Sequence, residues 1–332
     1  MPKTNINSVN YNAVKFLGLE NAFDLSQLLY VEFTNFKHII ERASYREFTI
    51  PKAKGGRRTI ESPNENLLFL QKQLNNYLQS VFYKIKPQEV YGFVQSVKDE
   101  QQPHTIITNA KNHIGKSYVL NIDLKDFFHS ISAIKVRALF QAPPFNFEND
   151  LATCLALISC WNKRLPMGAP TSPVVSNLFC LGLDKQLIAV ANKYKLVYTR
   201  YADDLTFSSD LLLSDDAIAG IKDVIVGNEF MINDRKYRFQ SKYRQQTVTG
   251  VKVNQKPNVD RRYIRNIRAM LNDIKWNGLG KATIKHYKVK VADKKLMNTF
   301  LFSIRGKVSF IGQVRGKDDF IYRRLNEEIK AY

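Results

Sequence analysis

The chain has 332 residues, 44% hydrophobic and 12% aromatic, enough to bury a sizeable core and to form two or three domains or subdomains. No apolar run approaches the ~18 residues needed to span a bilayer, the polar opening MPKTNINSVNYNAVKF lacks the apolar stretch of a secretory leader, and the three cysteines Cys154, Cys160 and Cys180 have no CxxC spacing. These features predict a cytoplasmic protein with buried free thiols and no membrane partner. Lys and Arg number 50 against 30 Asp and Glu, a net charge of +20, and Val251–Tyr332 alone holds 20 of the former and 7 of the latter. The implied partner is a polyanion, nucleic acid foremost, although phosphate affinity by itself specifies neither a base sequence nor a reaction.

In chain order, residues 1–44 carry apolar positions at helical spacing (Phe23, Leu25, Leu28, Leu29, Val31, Phe33, Phe36) and predict short helices. Phe48-Thr49-Ile50-Pro51 is strand-like, the basic turn Lys52 to Arg58 follows, and Thr59-Ile60 resumes the strand. A hairpin whose Gly-Gly tip is flanked by four cations suits a phosphate-gripping loop. Ser62 to Phe82 reads as a helix with Leu67, Leu70, Leu74, Leu78 and Val81 on one stripe. Ser117 to Asp123 is an apolar strand that ends on an aspartate. Leu165 to Pro173 is a rigid Pro/Gly loop feeding a long helix from about Val174 to Lys193. Leu196 to Tyr201 then runs as a strand into Ala202-Asp203-Asp204, and Leu205 to Ser208 returns, placing the two aspartates at or beside a hairpin tip. Thr247 to Val253 is strand-like, and Asp260 caps a helix with Ile264, Ile267, Leu271 and Ile274 on one stripe and Arg261, Arg265, Arg268 and Lys275 largely on other faces. Neither an internal repeat nor a Gly/Ser linker interrupts the chain.

Asp123 and Asp203-Asp204 each follow an apolar strand, so one sheet can gather all three carboxylates at one end. Carboxylates crowded and desolvated together repel, and magnesium, a hard cation that takes oxygen ligands while keeping water and substrate phosphates, relieves that penalty. A pair of such ions can activate an attacking hydroxyl and stabilise a leaving pyrophosphate. The pattern is therefore a parts list for nucleotidyl transfer, whereas an Asp-Asp pair without apolar flanks would read as an exposed turn.

Three ordered segments carry a family resemblance. Tyr201-Ala202-Asp203-Asp204 resembles the YxDD signature of reverse transcriptases, Asn121 to Phe128 their first metal-binding motif, and Leu165 to Pro173 with Ser176-Asn177 the loop and helix that contact template and incoming nucleotide. The resemblance implies an α+β right-hand polymerase fold: a helical extension over 1–44, fingers over 45–116, a palm of antiparallel sheet with helices over 117–250 that contains a further fingers segment at about 131–165, and a basic helical thumb over 251–332. Residue by residue it implies Asp123, Asp203 and Asp204 as metal ligands, with the Leu124 carbonyl beside them, and two Mg2+ ions for which Mn2+ can substitute. It further implies Phe128 as the ring that excludes a ribose 2′-OH, Lys236 as the proton donor to pyrophosphate, and Lys52, Lys54, Arg58, Met167 and Gly168 as contacts to the nucleotide. Met167 stands where many relatives carry Gln.

Asn109-Ala110-Lys111-Asn112-His113 and Val248-Thr249-Gly250 resemble the NAxxH and VTG elements of the bacterial retron branch. That branch implies a cognate structured noncoding RNA serving as template and as primer through a guanosine 2′-OH, dNTPs as substrates, and single-stranded DNA branched from the RNA as product. Asn109, His113, Val248, Thr249, Gly250, Arg261, Arg265 and Arg268 are the implied RNA contacts. RNA removal is expected from a host RNase H and toxicity from a separate effector protein in defence against phage. A different bacterial reverse transcriptase, intron-like or defence-associated, is the nearest alternative, and a catalytically silent RNA-binding scaffold is the alternative from another class.

Overall fold

The computed structural model describes residues 4–51, 55–98 and 100–332. Side chains of Asn5, Asn21 and Glu32 accept hydrogen bonds from the backbone that follows them, and three short helices start there: α1 (Ile6–Leu17), α2 (Ala22–Leu28) and α3 (Phe33–Glu41). They are the helices expected over 1–44. Strands β1 (Tyr45–Pro51) and β2 (Arg57–Pro63) form the expected antiparallel hairpin, Tyr45 opposite Pro63 and Pro51 opposite Arg57. Helix α4 (Glu65–Ile85) starts later than its apolar stripe suggests, because Ser62 and Pro63 belong to β2 and the Asn64 side chain caps the first turn. The same stripe, Leu67 through Val81, is buried, and α1 packs against α4.

Helix α5 (Ile106–Lys111) precedes strand β3 (Tyr118–Asp123), whose last five residues are all buried. Helices α6 (Ala133–Gln141) and α7 (Asn149–Ser159) follow. The single helix expected from Val174 to Lys193 is instead two, α8 (Ser172–Phe179) and α9 (Leu181–Lys193), bent by 50° where Cys180 takes a ψ of 0°. Strands β4 (Val197–Tyr201) and β5 (Asp204–Ser209) pair antiparallel with Tyr201 opposite Asp204, so Ala202 and Asp203 are the whole of the turn. Helix α10 (Asp215–Gly227), a 3-10 turn at Asp234–Lys236, and strand β6 (Arg238–Ser241) complete a four-stranded sheet of order β4-β5-β3-β6. The two-residue strands β7 (Thr247–Val248) and β8 (Val251–Lys252) follow, then α11 (Arg261–Tyr287), interrupted at Gly278, α12 (Lys294–Arg315) and α13 (Phe320–Lys330). Asp260 caps α11 as expected.

The chain divides into two compact units, Met1–Thr105 with Leu120–Phe239, and Ile106–Val119 with Gln240–Tyr332. The second unit runs beyond the thumb expected over 251–332: it also takes in α5, within the expected fingers, and β7, within the expected palm. The reason is packing. Ile107, Ala110, Val119, Val248 and Val251 join one apolar core with Ile264, Ile267, Phe300 and Ile304 of α11 and α12. Among the described residues no single helix is long and apolar enough to cross a membrane.

Candidate active site

The three aspartates belong to the first unit. Asp123 closes β3, Asp204 opens β5, and Asp203 sits in the turn between β4 and β5, with β5 and β3 adjacent in the sheet. The Leu124 N–H donates to the Asp203 carbonyl at 3.0 Å and ties the two strand ends together. Burial and the neighbouring Asp123 raise the Asp203 carboxyl above its usual range. Burial, Asp203 and Asp123 together push Asp204 up to about 6. Asp123 itself is 5% exposed and has both oxygens engaged: Asn233 Nδ2 donates to Oδ2 at 2.9 Å and Lys236 Nζ to Oδ1 at 2.5 Å. Partial burial works against the Lys236 ammonium, but its hydrogen bond to Asp123 and the charges of all three aspartates hold its pKa above the usual value.

Among the described residues no group of three or more His, Cys, Asp or Glu side chains is arranged to hold a metal ion outright. The donor chemistry nevertheless fits a hard divalent cation. All three side chains offer carboxylate oxygen, and burial together with mutual repulsion raises Asp203 and Asp204, a penalty that a divalent cation relieves. Lys236 already supplies one positive charge at Asp123.

A fully buried polar network holds the turn. Arg200, 0% exposed, donates from Nε and Nη2 to the two oxygens of Asp184 at 2.7 Å each, and from Nη1 to Asn177 Oδ1 at 2.9 Å and to the Ala202 carbonyl at 3.2 Å. Asn177 Nδ2 donates to the Gly92 carbonyl at 2.9 Å. Gly92 is required there, since a Cβ would lie 2.3 Å from the Ala202 nitrogen. Ala202 takes a φ of 59° in this turn, a conformation that L residues rarely adopt.

Of the residues expected around the nucleotide, Arg58, Phe128, Met167 and Gly168 belong to the same unit. Arg57 folds back on its own hairpin, donating from Nε to Thr49 Oγ1 at 2.7 Å, whereas Arg58 is exposed and its charge acts on Asp203. Lys52 and Lys54 lie outside the described residues. Phe128 is half-buried, its ring 5.9 Å from that of Phe93 and 5.5 Å from that of Phe127, which stacks on Phe230. Met167 pairs through its backbone with Glu61 of β2, and Gly168, at φ 140°, has no room for a side chain, because a Cβ would stand 2.6 Å from the Glu61 carbonyl oxygen.

Residues 50–253 match the family described as reverse transcriptase (RNA-dependent DNA polymerase). The retron Ec86 reverse transcriptase of Escherichia coli is 32% identical over 267 residues, covering 77% of this chain and 78% of that protein. The chain belongs to the retron reverse transcriptases. The retron Mx65 reverse transcriptase of Myxococcus xanthus is 34% identical over 247 residues, and the match spans 69% of this chain but only 55% of the length of that relative. Among solved structures, a telomerase from Candida albicans in complex with a fragment of telomeric RNA superposes with a TM-score of 0.46 at 11% identity, over 89% of this chain and 64% of that one.

In this retron reverse transcriptase the NAxxH and VTG elements meet inside the second unit. Thr249, at φ 46°, and Gly250, at φ 85°, form the turn between β7 and β8, and the Thr249 hydroxyl donates to the Ile106 carbonyl at 3.0 Å. Asn109 Nδ2 lies 3.5 Å from Thr249 Oγ1. Asn109, His113 and Val248 are 1%, 0% and 0% exposed, and burial, with the nearby Lys116, pushes His113 down to about 3. These three side chains, expected to contact RNA, lie inside the unit, whereas Gly250 is exposed at the tip of the β7–β8 turn. Arg261, Arg265 and Arg268 are exposed on α11, away from its buried face of Ile264, Ile267, Leu271 and Ile274. Sequence reading misses Asn233, Gly92, Glu61 and the Arg200–Asp184 pair; only the Arg immediately before the YxDD segment hints at the last of these.

Proposed function

We propose that the chain copies a cognate structured noncoding RNA into DNA, using Asp123, Asp203 and Asp204 to carry two Mg2+ ions, for which Mn2+ substitutes. When bound, such ions activate the primer hydroxyl and stabilise the departing pyrophosphate. The observation that carries this reading is the gathering of three carboxylates at the end of one sheet in a chain whose match to the reverse transcriptase family spans that sheet. Within the site Lys236 holds Asp123 in place and stands ready as the acid for pyrophosphate, Phe128 excludes the 2′-OH, and Arg58 meets the triphosphate. The Leu124 carbonyl completes the oxygen set.

The retron reading adds priming from an internal guanosine 2′-OH, a branched RNA-linked single-stranded DNA, trimming of RNA by a host RNase H, and a separate effector protein in antiphage defence. The exposed Arg261, Arg265 and Arg268 suit an A-form backbone, which proteins recognise by shape, phosphate and 2′-OH contacts.

Co-expression with the DNA flanking its gene, followed by extraction of small nucleic acids and debranching, tests the proposal. A discrete single-stranded DNA that shifts on debranching and vanishes with Asp203→Ala plus Asp204→Ala is expected. Activity on an added primer–template without such a product would point to another kind of bacterial reverse transcriptase. RNA binding with no incorporation on either substrate would leave a scaffold.

A further inference from the structure

Glu61 is 2% exposed, yet it is not part of the carboxylate corner. It lies on β2, three residues after Arg58, and gathers contacts from two other segments. Arg164 donates to it bidentately, Nη1 to Oε2 at 3.1 Å and Nη2 to Oε1 at 2.8 Å. The Met167 N–H donates to Oε2 at 2.9 Å, and the Glu61 N–H donates back to the Met167 carbonyl at 2.8 Å. His129 Nε2, on the residue next to Phe128, lies 3.1 Å from Oε2. Gly168 closes the joint, since a Cβ there would meet both the Glu61 carbonyl and the Ile60 side chain below 3.0 Å. Burial alone would raise the Glu61 carboxyl, but Arg164, the Met167 N–H and His129 outweigh it and hold the group ionised below the usual range.

One buried carboxylate therefore fastens three segments, each bearing a residue assigned to the incoming nucleotide: Arg58 on the fingers strand, Phe128 beside His129, and Met167-Gly168 in the loop. Bidentate Arg–carboxylate pairing adds geometric definition as well as attraction, and misplacement of a substrate-positioning group by about 1 Å can cost up to about 100-fold in rate. Resting on the polymerase reading above, we propose that Glu61 is a positioning residue for the nucleotide pocket: it sets the distance between the sugar-facing ring of Phe128 and the loop at Met167, and with it the preference for deoxynucleotides.

The test is single-nucleotide incorporation of a dNTP and the matching rNTP on an RNA template by wild type, Glu61→Gln, His129→Gln, Phe128→Ala and the Glu61→Gln/Phe128→Ala double variant, with thermal melts alongside. Glu61→Gln is expected to raise the dNTP KM roughly 10-fold with a smaller change in kcat and to lower the dNTP:rNTP preference. In the double variant the loss of preference should be smaller than the product of the two single losses, because both act through the same ring. His129→Gln leaves the Arg164–Glu61 pair intact on a side chain that is already 30% exposed, so it decides the matter if Glu61→Gln does not fold: a reduced preference supports the coupling and an unchanged one overturns it. A folded Glu61→Gln variant with wild-type KM and preference overturns the inference while leaving the polymerase reading intact. Wild-type protein that incorporates neither nucleotide overturns the polymerase reading and the role of Glu61 together.

Discussion

One fully buried carboxylate, Asp184, and a half-buried pair, Asp203 and Asp204, lie in the first unit, and they are treated in opposite ways. Asp184 is 0% exposed and fully answered: two guanidinium nitrogens and the Tyr198 hydroxyl reach it within 2.8 Å. Asp203 and Asp204 are raised by burial and by their acidic neighbours, and Lys236 and nearby arginines offset only part of the repulsion. Charge removed from water is costly unless it is paired, and the fold pairs one carboxylate fully while leaving its neighbours undercompensated, the contrast on which the proposed metal site rests. The paired group does structural work on behalf of the unpaired ones, since the same Arg200 donates to the carbonyl of Ala202, the residue before Asp203.

The largest stability effect should come from breaking the satisfied pair. Asp184→Asn leaves the Arg200 guanidinium buried without its counter-charge and is expected to cost about 3–5 kcal/mol, read by urea unfolding; activity should fall with it as the turn loses its anchor. Lys236→Met acts on the other side of the comparison. It removes a cation from the carboxylate corner and is expected to lower kcat about 100-fold with little change in primer–template binding, as measured by single-turnover extension.

The smallest expected effect has the opposite sign to most substitutions. Because Asp204 binds its proton more tightly when folded than when unfolded, its contribution to stability is fully present below about pH 4 and is lost as pH rises through about 6. In metal-free buffer Asp204→Asn should therefore be more stable than wild type at pH 7, by about 2 kcal/mol once partial solvent exposure is allowed for, and equal to it near pH 4. Chelator-treated protein melted across this range gives the answer.

Much of the corner was legible in the sequence because its signals are local. An apolar run that ends in Asp is visible in Tyr118 to Asp123, and two short strands flanking Ala202-Asp203 announce their own turn. What could not be read is the long-range pairing. Glu61 and Arg164 are 103 residues apart, and each looks like an ordinary surface charge until the fold closes. Asp184 and Arg200 are nearer, 16 residues apart, yet a charge on a helix is the commonest solvated residue, and nothing in α9 announces that its Asp faces inward. Asn109 and Thr249 are 140 residues apart, and neither local segment announces that their side chains meet. The break at Cys180 was invisible because apolar residues continue through it.

The most direct test of the central claim is primer extension on an RNA template with dNTPs and magnesium, comparing wild type with Asp203→Asn plus Asp204→Asn at matched folded concentrations. Metal-dependent DNA synthesis by wild type is expected, lost by about 1,000-fold or more in the variant while primer–template affinity and thermal stability are kept or increased. Equal synthesis by the two proteins, or wild-type synthesis that persists in excess chelator, would contradict it.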